Sequence, residues 1–227
     1  MSALPHAEAV RWYGVQIGLV TDLRDPDGQG RVKVKLPWAP DPSGGAYEAW
    51  ARLATLMGGD NRGTWLVPDK DDEVLVAFEG GDPRFPYVLG GLWNGHDKPP
   101  ASMDSSGRND TKVIRSRNGV KLTLDDTSGQ EKFVVETPGG QKITLTDGPG
   151  RVEVVDSNGN SVTLESSGIT VKTSSTVTVQ ASQVKVSAPM VTVDAGMAKF
   201  SGVLKCETLI TNAVVSSSYT PGAGNIW

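Results

Sequence analysis

The 227-residue sequence predicts an all-β fold, a small closed barrel followed by an intertwined three-chain β-helix. Three observations predict it. Short runs of alternating apolar residues fill residues 14–93, with Gly, Pro, Asn and Asp gathered between them; alternate side chains of a strand share a face, and those four residue types make turns. A looser repeat follows between residues 116 and 168, each copy opening on a turn dipeptide. A seven-residue unit is then read four times from Val177 to Leu204: VTVQASQ, VKVSAPM, VTVDAGM, AKFSGVL.

The two halves differ in composition, which implies separate domains. Five of the six Trp and three of the four Tyr precede Asn94, whereas the chain after about residue 101 is rich in Val, Thr, Ser, Gly, Asp and Asn. A net charge of −4 gives no reason to expect nucleic acid or an anionic membrane as partner, since both select basic surfaces. The single Cys206 leaves no intrachain disulfide framework and reads as a small buried hydrophobe. The opening MSALPHAEAVRW lacks the basic and apolar regions of a signal peptide, and no run has the length of a membrane span. Synthesis in the cytoplasm as a soluble product is the expectation.

Residues 1–13 read as a flexible or docking arm. Strands are expected at 14–23, 31–38, 50–56, 64–68 (TWLVP), 72–81 and 86–93, and five or six short strands with no helix suggest a closed barrel over 14–100, because closure removes exposed edges. In Asp25-Pro26-Asp27-Gly28-Gln29-Gly30 the proline fixes one turn residue and the glycines permit positive φ, which makes a tight link. Val74, Val76 and Phe78 alternate with Leu75, Ala77 and Glu79 as a barrel-lining strand would. Gly90 and Gly91 break the last strand and permit a bend or a close backbone approach. Residues 94–109 are polar and rich in Pro and Ser, and a linker is expected over 101–115. Asn118-Gly119, Gly139-Gly140 and Asn158-Gly159 then predict antiparallel hairpins, with FVVE (133–136) and VEVV (152–155) as intervening strands.

The seven-residue unit places two apolar residues two apart: Val177/Val179, Val184/Val186, Val191/Val193, then Ala198/Phe200. Seven is odd, so an unbroken strand would throw successive pairs onto opposite faces. One core can receive every pair only if the chain turns once per unit, and the small residues Ala181, Ala188, Ala195 and Gly202 sit where corners would fall. A single copy would leave two long edges and a thin apolar stripe in water. Three copies about a threefold axis would cover both. The expectation is an obligate parallel homotrimer over 116–204 with Val177, Val179, Val184, Val186, Val191, Val193 and Phe200 as its core.

The order of motifs in the first domain is specific: D-P-x-G-x-G-R-V-x-V, W-x-R, N-R-G-T-W, D-E-V-L-V-x-F, then G-D-P-R-x-P-Y-V-L-G-x-L-W-N-G. Residues 14–100 thereby resemble the oligonucleotide/oligosaccharide-binding (OB) barrel of phage baseplate assembly protein V, a barrel shared by the central spikes of type VI secretion and of extracellular contractile injection particles. The resemblance implies a trimeric structural spike that plugs the tube at a baseplate hub, pierces the target envelope and meets its membrane only transiently, assembled into a virion or injection particle. The type VI spike has a large hub region before its barrel; here about thirteen residues precede it, so a separate hub protein is expected at the barrel end, and no lysozyme domain is expected. The segment 205–227 reads as a cap whose Tyr219, Pro221, Ile226 and Trp227 offer a docking face for a tip protein of the Pro-Ala-Ala-Arg (PAAR) repeat type, or simply cover the last edges.

Chemistry is not expected. His6 and His96 have no partner at metal-ligand spacing, and the His-x-His pair that binds iron in some spikes of the resembled family does not occur. Neither a metal nor a cofactor is carried over. The alternative trimeric reading is a tailspike-like carbohydrate-binding or depolymerising protein; depolymerisation needs two carboxylates across a cleft, but Asp125, Asp126, Asp147, Asp156 and Glu165 all lie in or beside turns. A nucleic-acid reading of the barrel would use Trp38, Trp50, Trp65, Phe78 and Tyr87 for stacking and Arg24, Arg31, Lys33 and Lys35 as the basic face; overall acidity weighs against it.

Overall fold

Alternation in the first domain closes on itself. The computed structural model describes residues 11–41 and 44–217. Strands β1 (Val15–Asp22), β2 (Val32–Pro40) and β3 (Ala46–Leu53) are followed by a minimal hairpin of β4 (Gly58–Gly59) and β5 (Arg62–Gly63), then β6 (Glu73–Phe78) and β7 (Pro86–Gly91). The barrel order is β1-β2-β3-β7-β6, with β6 returning to β1. Every pairing is antiparallel except β3 with β7. This is the OB-type arrangement expected.

The inward row is apolar throughout. Val32, Val34 and Leu36 of β2 and Val74 and Val76 of β6 are fully buried, joined by Val20, Ala51, Val88 and the nearly buried Phe78. Each fully buried aliphatic side chain is worth about 1.5–3 kcal/mol relative to exposure, so the barrel is self-sufficient for its core.

Two expectations are corrected. The stretch 64–68 is not a strand: Trp65 and Leu66 are exposed and Val67 alone packs on the core, so the alternation there serves one anchor point. The presumed arm also reaches the barrel. Trp12 N donates to Gly81 O at 2.8 Å, and its ring meets Trp38, Tyr47 and Phe78 edge-on at centroid distances of 5.0, 5.2 and 5.3 Å. Such edge-to-face contacts are favoured by the ring quadrupoles. At Gly90 the space beside the backbone is open while the β6–β7 register shifts near it, so the glycine pair bends the strand.

Beyond the barrel runs a meander of seven antiparallel strands in sequence order: β8 (Thr111–Arg115), β9 (Lys121–Asp125), β10 (Lys132–Glu136), β11 (Lys142–Thr146), β12 (Arg151–Val155), β13 (Ser161–Glu165) and β14 (Gly168–Lys172). Strand β8 occupies the end of the stretch expected to be linker, and β14 extends past the last expected hairpin. The predicted turns are present. Ser116, Thr137 and Asp156 each accept from the N–H of the glycine three residues on, at 2.9, 3.0 and 3.4 Å, and donate to the carbonyl four residues on. Gly119, Gly140 and Gly159 have φ of +91, +90 and +83°, a region that glycine occupies without the cost other residues meet. Arg117 in the first of these turns pairs with Asp69 of the barrel at 2.7 Å.

The chain divides into two compact units between Thr176 and Val177. Within the described residues of the second unit, 177–217, no strand pairs with another. The chain instead bends at Ser182, Pro189 and Gly196, seven residues apart and each one residue beyond Ala181, Ala188 and Ala195. One corner per unit is what the odd period requires. Among the described residues no helix is long and apolar enough to cross a membrane.

Candidate functional site

The seven-stranded sheet has two chemically opposite faces, set by its register. Val113, Thr123, Val134, Thr144, Glu153, Thr163 and Thr170 stand opposite one another across the seven strands, and with their neighbours two residues away they form a polar face. That face is laced by ion pairs: Lys121 Nζ with Glu136 Oε1 at 3.1 Å, and Arg151 with Glu153 at 2.5 Å and Glu165 at 3.8 Å. The alternate residues form the other face. They are Ile114, Leu122 and Leu124, Phe133 and Val135, Ile143 and Leu145, Val152 and Val154, Val162 and Leu164, Ile169 and Val171, with Lys112 the sole charge at one rim.

Burial in the single chain is inverted. Thr163 on the polar face is buried, while on the apolar face Leu145 is 43% and Ile169 72% exposed. An apolar patch this continuous marks an interaction surface. The expected trimer core named the repeat valines and omitted this face, although its signal is present in the sequence as the L-T-L, I-T-L and V-T-L runs at 122–124, 143–145 and 162–164.

The repeat valines are likewise in solvent: Val177, Val179, Val184, Val186, Val191, Val193 and Phe200 are all exposed in one chain. With no helix or second sheet over them, neither they nor the sheet face has an intrachain cover among the described residues.

The groups considered for chemistry are used in turns and ion pairs. Asp125 accepts from Thr127 N at 3.0 Å and Oγ1 at 2.6 Å, and the Thr127 hydroxyl holds its carboxyl below the usual range. Asp156 accepts from the N–H groups of Asn158 and Asn160, both at 2.9 Å, and the Asn160 backbone bond leads in lowering it. Lys112 pairs with Asp126 and Arg151 with Glu165, while the Asp147 backbone closes the next turn by accepting from Gly150 N at 2.8 Å. His96 faces Asp97 at 3.2 Å, and the described residues contain no cluster of three His, Cys, Asp or Glu able to hold a metal. His6, Tyr219, Pro221, Ile226 and Trp227 lie outside the described residues.

The stacking set for nucleic acid is brought together only in part: Trp50 and Tyr87 line one cleft with Arg31, Arg52 and Arg84, and the other three lie elsewhere. Phe78 is in the barrel core. Trp38 donates its indole N–H to Ile17 O at 3.1 Å. Trp65 lies against Gly30, Trp50 sits beneath Arg31 and Lys33, and Tyr87 bonds Glu79 under Arg52. The basic side chains are largely spent on carboxylates. Arg24 chelates Asp22 and Lys33 faces Glu48 at 3.5 Å; Lys35 is half-buried. Arg31 bonds Asp25 and Asp27. Asp25, almost enclosed, also accepts from the N–H groups of Asp27, Gln29 and Arg31; the Arg31 guanidinium above all holds its carboxyl far below the usual range. It is the hub of the β1–β2 turn. Asp82 and Arg84 repeat the Asp22–Arg24 geometry, and Arg84 holds Asp82 down to about 2.

Residues 16–93, the barrel, match the family described as type VI secretion system/phage-baseplate injector OB domain. Residues 132–199, which run from β10 through the first three seven-residue units, match phage baseplate V C-terminal trimerisation domain. The chain belongs to the phage baseplate V family. Relatives of this family include type VI secretion system spike protein VgrG5 of Pseudomonas aeruginosa, 33% identical over 136 residues that make up 55% of this chain and 17% of that protein. Spike protein VgrG1c of the same organism is 28% identical over 116 residues, 48% of this chain and 16% of the relative. Actin cross-linking toxin VgrG1 of Vibrio cholerae is 26% identical over 110 residues, 47% of this chain and 10% of the relative. The chain thus spans less than a fifth of the length of these relatives. The phage baseplate V trimerisation match falls on β10–β14 and the repeat valines, whose apolar groups are exposed in one chain, and supports a homotrimer.

Proposed function

We propose that three copies of this chain form the central spike of a contractile injection machine, a non-catalytic part that closes the tube at the baseplate and transmits contraction to the target envelope. The observation that carries it is the continuous apolar face of the seven-stranded sheet, largely exposed in one chain, whose strands β10–β14 lie in the segment similar to a trimerisation domain. Three such faces turned to a common axis, followed by three sets of repeat valines, would make a core of interlocked chains. Hydrogen-bonded, interdigitated strands resist bending because many contacts must break together. The barrel over 14–100 would sit on a separate hub protein, 116–204 would form the shaft, and 205–227 would face the target.

An epitope-tagged chain tests this. It should localise to the baseplate end of contractile particles isolated from producing cells, and label along the sheath or absence from particles would overturn it. Tyr219, Pro221, Ile226 and Trp227 are proposed to dock a PAAR-type tip protein, so deletion of 219–227 should abolish its co-purification while leaving the trimer; retained binding would refute that docking role.

A further inference from the structure

The repeat does not stay at seven. After the bends at Ser182, Pro189 and Gly196, the chain bends at Ser201 and Gly202 and then at Glu207, Asn212 and Ser217, five residues apart. The fourth seven-residue unit is therefore not a true copy: by analogy its corner belongs at Val203, and it comes early. Sequence follows the new period, since VLKCE, TLITN and AVVSS each carry an aliphatic residue in second place. Leu204, Leu209 and Val214 are 58–65% exposed, against 93–99% for Val203, Ile210 and Val215 beside them. One row is less exposed than the other.

The strand period assigns each of those residues an inward companion two positions on. The pairs are Leu204/Cys206, Leu209/Thr211 and Val214/Ser216. In the first three seven-residue units both inward members are valine, whereas here the second is small. The Thr211 hydroxyl already donates to Ala213 O at 3.1 Å, so it can be enclosed without losing a partner. From the first inward residue to the second, both kinds of unit span three residues; the corner falls from four residues to two. Two residues removed from each corner shorten the path of each chain by up to about 7 Å per unit.

From this we infer that residues 203–217 form a second, thinner stage of the same threefold interface, whose occupants are the two other copies of this chain. The inference rests on the trimeric reading above and continues that interface past residue 199, where the trimerisation match stops. The aliphatic row and the small row face the axis, the cross-section narrows because the corners shrink, and Lys205, Ile210 and Val215 point outward. The stage is built for close approach of three chains, and Cys206 is enclosed in it.

Thiol labelling of the full-length protein reads the direction of each side chain. In the native assembly Cys206 should react with an aromatic disulfide reagent at least about 100-fold more slowly than after denaturation, because a thiol shielded by packing reacts only through local opening. Lys205→Cys in a Cys206→Ser background, one residue away, should react at the free-thiol rate. Leu209→Asp should expose the last fifteen or so described residues to protease, and Ile210→Asp should not. A trimer in which Cys206 and the introduced thiol at 205 label equally fast overturns the thin stage alone. A folded monomer overturns it together with the spike.

Discussion

The barrel and the hairpin sheet are written in the same alternating pattern and meet opposite fates. In β6, Val74, Val76 and Phe78 are enclosed by the four other strands of a closed barrel; in β11, Ile143 and Leu145 alternate with Lys142, Thr144 and Thr146 and remain in water. Alternation says that a face must be covered, and closure decides who covers it. Five strands that return to the first cover themselves. Seven strands in an open meander have no second layer among the described residues, and the trimeric reading assigns the cover to copies of the chain.

Substitutions can break this contrast. The largest effect is expected from Val76→Asp, which buries an unpaired carboxylate among fully enclosed aliphatics and should cost more than about 4 kcal/mol; the barrel would unfold at every protein concentration. Leu145→Asp should instead leave the barrel's near-ultraviolet circular dichroism intact and release monomers, since the charge lies on a face that only assembly buries. Gentler pairs sharpen the contrast. Val76→Ala should lower stability by about 1.5–3 kcal/mol with a midpoint independent of concentration, whereas Leu145→Ala should cost about 2–5 kcal/mol per chain, and only its midpoint should rise with concentration. Gly140→Ala, at φ of +90°, should cost about 1–2 kcal/mol, seen as a drop of a few degrees in the melt.

The smallest effect concerns pH. Asp82 is held at about 2 by Arg84, below the ordinary value near 3.8. A depressed carboxylate contributes stability that is present above its unfolded pKa and lost as pH falls through the folded one, so this contribution should fade between about pH 4 and pH 2. Asp82→Asn should flatten that part of the acid denaturation profile; an unchanged profile would show that the pair does not titrate with folding.

Much of the barrel was legible because its strands are short, alternating and bounded by Gly, Pro and Asp; the hairpins were legible through Gly119, Gly140 and Gly159. Residues 64–68 carry the same apolar signal, yet there a single side chain, Val67, uses it. Trp12 could not be placed because one aromatic in a polar arm has no period to assign it. Strand β8 was hidden by its composition, TKVIR, with only two apolar residues, adjacent rather than alternating, inside a stretch that read as linker. Of the interface, the valine pairs stood out because two strong residues recur, whereas the five-residue rows offer one aliphatic and one small residue each. The sheet face was spelled in L-T-L runs, but alternation alone does not say which face lacks a lid.

Sedimentation equilibrium of the purified protein, run from nanomolar to tens of micromolar, tests the shared-core reading most directly. Three chains of 24.0 kDa should give a single species of about 72 kDa at micromolar concentration, with no folded species of lower mass. A stable, cooperatively melting 24.0 kDa monomer at those concentrations would contradict it.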